Sequence, residues 1–132
     1  IFVSDLFVEQ YAGGAELTTA ALTRGIPADR CGPDEDPNVV GRINSKDVTK
    51  EILEANKDSL WIVCNFSSLR EDSKVYMCRN INYSIVEYDY KLCSFRSLQK
   101  HKMHTGSECN CLEDTSGKIN MAFYGYAQKI RW

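Results

Sequence analysis

The residue pattern predicts an α/β fold in which a doubly wound, mostly parallel sheet is flanked by helices. Three observations carry that prediction. Short apolar runs alternate with stretches of helical period along the chain. The run "LWIVC", residues 60–64, is continuously apolar, as in a strand buried on both faces of a parallel sheet. Each apolar run also gives way to hydrogen-bonding residues at its carboxyl end, the edge where open parallel sheets bind ligands.

The elements follow in order. "IFVSD" reads as a short strand ending on Ser4 and Asp5. "GGAELTTAALTRG" then reads as a helix, with Ala15, Leu17, Ala20, Ala21 and Leu22 as its apolar face and Gly25 as its stop. Residues 26–37 hold all three prolines and Cys31, the composition of a surface loop or arm. "VVGRIN" is a second strand, weakened by Gly41 and followed by Ser45. "SKDVTKEILEANKDS" is the clearest helix: Ser45 as its cap, Asp47 at the positive end, and Val48, Ile52 and Leu53 as its stripe. "LWIVCNFSS" gives the third strand, with a short helix or turn over residues 70–79. "NYSIVEYDYKLC" is the next strand, and a polar excursion bearing cysteine and histidine follows, an insertion at about residues 93–117. "KINMAFYGYAQK" reads as a helix and "IRW" as the start of a last strand. With no internal repeat or low-complexity tract, the whole of 1–132 is read as one Rossmann-like domain.

The length of 132 residues suits one domain with a real core. The net charge of −2, with no block of like charges, argues against a nucleic-acid surface or a polybasic anchor. No apolar run approaches the roughly 18–20 residues of a membrane span. The chain opens on Ile1 rather than Met and closes on an apolar-basic run at Trp132, so a piece of something longer is expected. Six cysteines would suit a disulfide framework, but Cys64 lies in a strand-like run, where a free buried thiol is the commoner state. A reducing, cytoplasmic setting is therefore expected.

Three groups of residues carry chemistry. Glu87 and Asp89 follow the fourth apolar run, and at i, i+2 on an extended strand their carboxylates would share one side. Such a pair serves proton transfer, or equally forms salt bridges to Lys91 or Arg96. Gly13 and Gly14 leave amide groups uncovered at a helix N-terminus, which attracts phosphate; a tight turn alone would use glycine too. Cys93, His101, His104, Cys109 and Cys111 crowd into one segment. Cys93, His104, Cys109 and Cys111 would complete a tetrahedral structural zinc site; a disulfide from Cys93 to one of the paired cysteines, or free surface thiols, are the competing accounts.

Taken together, "YAGGAELTTAAL", "YSIVEYDYKLC" and "CSFRSLQKHKMHTGSECNC" resemble the N-terminal half of a GT-B glycosyltransferase of the family-4 kind. "YAGGAELTTAAL" is similar to the glycine loop that faces the donor's phosphates. "YSIVEYDYKLC" resembles a strand ending in His-Asp-Tyr with a nearby cysteine, and the last of the three is similar to a cysteine-rich insertion that some members carry. The resemblance implies transfer of a sugar, with retention, from a nucleotide-sugar to an acceptor hydroxyl. Gly13 and Gly14 would then face the departing diphosphate, Asp89 helped by Glu87 would orient or deprotonate the acceptor, and Asn65 and Ser67 would line the acceptor side. It implies no obligatory cofactor, so that any zinc is structural, and a second domain or subunit that completes the cleft; this chain alone is expected to be inactive. Tyr88 stands where the family usually has His, and the role of that His is not carried over. A non-catalytic Rossmann-like binding or scaffold protein is the main alternative, and a small nucleotide-binding protein or hydrolase using Glu87 and Asp89 is a third.

Overall fold

A computed structural model of the chain describes residues 1–25 and 41–128. Four short strands, β1 (Phe2–Ser4), β2 (Arg42–Asn44), β3 (Trp61–Val63) and β4 (Tyr83–Ile85), form one all-parallel sheet in the order β2-β1-β3-β4. Val3 is in register with Ile43 on one side and Val63 on the other, and Val63 with Ile85. Three helices make the crossovers: α1 (Gly14–Arg24), α2 (Lys50–Ala55) and α3 (Glu71–Asn80). Two more, α4 (Leu98–Thr105) and α5 (Thr115–Tyr126), follow β4. The strand order reverses direction after β2, and the right-handed rule for parallel connections then assigns α1 to one face and α2 and α3 to the other. The α/β, Rossmann-like prediction therefore holds.

β3 lies between β1 and β4, which explains its unbroken apolar character: Trp61 and Val63 are wholly buried. They join Val3, Val48, Leu53, Phe66, Leu69, Met77, Ile81, Tyr83 and Phe123 in one core cluster. Burying each such side chain contributes about 1.5–3 kcal/mol before the entropy of ordering is counted. No residue between Ile85 and Phe123 belongs to that cluster, so the segment after β4 is held by other means.

Several elements differ from expectation. Leu17 is exposed, while Glu16, Thr19 and Ala20 face inward. α1 lies over a polar region, where Thr19 Oγ1 and Tyr88 Oη share a hydrogen bond of 2.9 Å. Ser45 does not cap α2. It opens a separate 3-10 turn (Ser45–Asp47), and Thr49 caps the helix by accepting from the Ile52 N–H at 3.4 Å. The fourth strand stops at Ile85, so the alternation rule that would put Glu87 and Asp89 on one side has no strand to act on. The polar excursion contains a helix, α4, that its residue pattern does not announce.

Gly25 ends α1 as expected, its N–H reaching the carbonyls of Ala21 and Leu22. A single parallel bridge joins Ser84 to Gln128. The expected arm over 26–37 with Cys31, the first residues of "VVGRIN" and the "IRW" strand lie outside the described residues. No helix among the described residues is long and apolar enough to cross a membrane.

Candidate ligand edge and metal centre

The strand order reverses between β1 and β3, and the crevice outside their carboxyl ends is the favoured ligand position in an open α/β sheet. Asp5 occupies that point. Its carboxylate accepts from the Ser67 N–H at 3.0 Å, the Ser68 N–H at 2.9 Å and the Ser45 hydroxyl. One side chain thus ties together the ends of β1, β2 and β3. Asn44 completes the corner, donating to the Asp5 carbonyl at 3.0 Å and to Gln10 Oε1 at 2.9 Å. Asp5→Ala leaves two backbone N–H groups and a buried hydroxyl without their acceptor, and is expected to cost about 1–3 kcal/mol in urea unfolding; an unchanged midpoint would show that water replaces the carboxylate at no loss.

Arg96 brings the segment after β4 to the same edge. Its Nη1 donates to Asp89 Oδ1 at 3.0 Å, its Nη2 donates to the Ser67 hydroxyl, and Nη2 lies 3.8 Å from Asp5 Oδ2. The backbone of Arg96 has φ 55°, the left-handed region that residues other than glycine seldom adopt. Lys91 stands behind it, its side chain 1% exposed, with Nζ 3.5 Å from Asp89 Oδ1 and 4.9 Å from the Tyr88 ring centre. Burial holds its ammonium below the usual lysine range, and Asp89 offsets part of that effect. The Lys74 ammonium on α3 is lowered by burial in the same way, with Glu71 and Asp5 opposing.

The predicted residues divide between places. Ser67 and Asp89 meet at the edge through Arg96, and Asn65 follows β3 at the border of burial. Glu87 turns elsewhere, accepting from the Tyr124 hydroxyl on α5. The salt-bridge reading thus describes Asp89, while Glu87 has a different partner. Gly13 is the N-cap of α1 and Gly14 its first residue. A β-carbon on Gly13 would lie 2.5 Å from Glu16 Oε2 and 2.6 Å from the Tyr11 ring, both ends of side chains that can swing aside. Nothing lies within 4 Å of a β-carbon on Gly14.

The cysteine–histidine group is assembled, with one correction. Cys93, His101, Cys109 and Cys111 gather with their ligand atoms within 4.8 Å of one another, Cys93 and His101 buried and the other two half-buried. His104 is not among them. It lies one turn further along α4, exposed, with its ring stacked on Phe95 at 5.2 Å. His101 Nδ1 is 3.5 Å from Cys93 Sγ and 3.6 Å from Cys111 Sγ. The Ser94 hydroxyl sits 3.3 Å from Cys111 Sγ; bonds from that hydroxyl and the Ser94 backbone bring the Cys111 thiol down to about 6. The described cysteines are all free thiols, so the disulfide account does not describe this structure. Cys64 is the buried free thiol expected, its pKa raised by burial. A donor set of three cysteines and one histidine could hold a structural metal such as zinc.

The residue pattern offers Arg96 only as a salt-bridge partner and His101 only as one of five crowded candidates. Equal eight-residue steps from Cys93 to His101 and from His101 to Cys109 are visible in the chain, but they match no standard zinc spacing. A groove of about 590 Å³ between α3 and α5, with Cys78, Lys118 and Tyr126 in its lining, shares no residue with either cluster. No protein-family model matches the chain, and comparison with curated proteins and with solved structures gives no significant match.

Proposed function

We infer that this chain forms the acceptor-side, Rossmann-like domain of a nucleotide-sugar-dependent glycosyltransferase. The observation that supports the reading best is the carboxyl edge of the sheet. Asp5, Ser45, Ser67, Asp89 and Arg96 meet there at the strand-order reversal, where such sheets take polar ligands. The motif resemblance supplies the chemistry. Gly13 and Gly14 would stabilise a departing nucleotide diphosphate through backbone N–H groups at the start of α1, and Asp89 would orient or deprotonate the acceptor hydroxyl. Glu87, whose carboxylate accepts from the Tyr124 hydroxyl, would help Asp89 in that step. Nucleotide-sugar and glycosyl acceptor are the partners, with a second domain or subunit closing the cleft. A reducing, cytoplasmic setting suits the free thiols.

The test uses the complete reading frame that contains this chain, supplied with UDP- and GDP-sugars and a panel of glycosyl acceptors. Acceptor-dependent release of UDP or GDP is expected. Gly14→Ala adds a methyl group that meets nothing in the fold, so it is expected to leave thermal stability intact while lowering kcat/KM about 10-fold or more. Release from no donor, or a Gly14→Ala enzyme of full activity, counts against the assignment. A non-catalytic binding domain is the second reading. Its support is that Asp89 is already engaged by Arg96 and Lys91, as a structural carboxylate would be.

A further inference from the structure

The helix α4 presents a packing problem. Its one buried residue is His101, and no apolar side chain on it is buried. Ser97 caps its start by accepting from the Lys100 N–H at 3.3 Å, and Gly106, at φ 74°, closes its end. An isolated helix this short is marginal in water, so caps alone do not hold it. Yet the imidazole is fixed against two thiols, in a segment that gives nothing to the core cluster.

We propose that Cys93, His101, Cys109 and Cys111 form a structural zinc site that ties α4 and the loop after it to the turn at Cys93, and that this clamp holds the Arg96 turn. The two Nδ1···Sγ edges have the lengths that the ion sets. Zinc bonds of about 2.0–2.1 Å to nitrogen and about 2.3 Å to sulfur, at tetrahedral angles, set S···N edges of about 3.5 Å and S···S edges of about 3.8 Å. The two S···N distances are 3.5 and 3.6 Å, and every ligand atom lies within 4.8 Å of the others. The cysteines bind as thiolates, any remaining S–H proton passing to solvent, and His101 donates its Nδ1 lone pair. Ser94 then serves the Cys111 sulfur as a hydrogen-bond donor, the outer-shell role that fixes a ligand.

The link to Arg96 is local. Arg96 lies between the ligands Cys93 and His101, and its N–H donates to the Cys93 carbonyl at 2.8 Å. A left-handed arginine persists only where its surroundings over-determine it. The metal supplies that constraint, and the guanidinium is thereby delivered to Asp89, Ser67 and Asp5. The proposal does not rest on the glycosyltransferase reading, and its tests read metal and conformation rather than transfer.

Purified under reduction and desalted, the chain is expected to carry about one zinc, and cobalt(II) in its place to give the thiolate charge-transfer and visible bands of a tetrahedral site. His101→Ala and Cys111→Ser are expected to reduce zinc to a trace, and His104→Ala to retain it all. Should the ligand variants fail to fold, the unaltered chain still decides. Zinc is expected to shield Cys93, Cys109 and Cys111 from alkylation, and its removal to open the Arg96–Ser97 bond to trypsin. Trace zinc with no cobalt spectrum, or alkylation of those three cysteines unaffected by metal, overturns the site. Cleavage at Arg96 indifferent to metal overturns its role in holding that turn.

Discussion

Gly117→Ala is expected to destabilise the domain by about 3 kcal/mol or more, the upper end of what overpacking costs. A β-carbon there would stand 2.0 Å from the Cys111 carbonyl oxygen and 2.6 Å from Leu112 Cα, both backbone atoms that cannot swing aside. Gly117 lies in the first turn of α5, its N–H donating to the Asp114 cap at 2.6 Å, so the helix cannot retreat without losing its start. The same clash would displace Cys111, and the cobalt spectrum is expected to weaken along with the unfolding midpoint. Gly125→Ala is the control on the same helix. Its β-carbon meets nothing within 4 Å, and the change is expected to be neutral or to stabilise by about 0.5–1 kcal/mol. Equal urea midpoints for the two variants would refute the close-approach account.

Phe123→Ala is expected to cost about 3–5 kcal/mol, a large share of the roughly 5–15 kcal/mol typical of a domain. Phe123 is wholly buried, stacked on Tyr83 with ring centres 4.7 Å apart and meeting Phe66 edge-on at 5.2 Å. The Tyr83 hydroxyl donates to the Phe123 carbonyl at 2.5 Å, so ring and backbone dock α5 on β4 together. Besides Gly117, Phe123 is the one buried residue of α5, and no neighbour on the helix can compensate for it. Urea unfolding should show a lower midpoint with an unchanged slope. Phe123→Leu, which keeps much of the apolar volume, is expected to recover part of the loss. If alanine and leucine cost the same, the aromatic stack rather than the filled volume carries the docking.

The sheet is legible in the sequence because its strands are buried on physical grounds that leave a mark. "LWIVC" is apolar throughout because β3 has neighbours on both sides, and "KINMAFYGYAQK" contains the phenylalanine that anchors α5. Asp5, Ser45, Ser67 and Asp89 are legible as polar residues after strands, although Ser45 proves to be a hydrogen-bond donor rather than a helix cap. α4 is not legible, since a helix docked by one imidazole shows no apolar period. The choice of His101 over His104 is likewise hidden, because both lie near the cysteines in sequence and only the helix rotation separates them. Leu17 misleads for the opposite reason: a large apolar residue suggests the inward face, which in α1 belongs to Thr19 and its Tyr88 partner. Arg96 is legible as a salt-bridge partner of Asp89, but its left-handed backbone is not, because the turn around it imposes that conformation.

The segment between β4 and α5 adds nothing to the apolar cluster, and that has a consequence for how the domain opens. Regions with few buried apolar contacts exchange their amide hydrogens through local openings, below the cost of global unfolding. The amides of residues 86–114 are therefore expected to exchange through such openings while the four strands stay paired. Amide protection in α4 is then governed by whatever joins the four ligands, whereas protection in β3 follows the whole domain. Since that segment also carries Arg96 and Asp89, half of the carboxyl edge of the sheet is expected to exchange with it, and the Asp5 half with the strands.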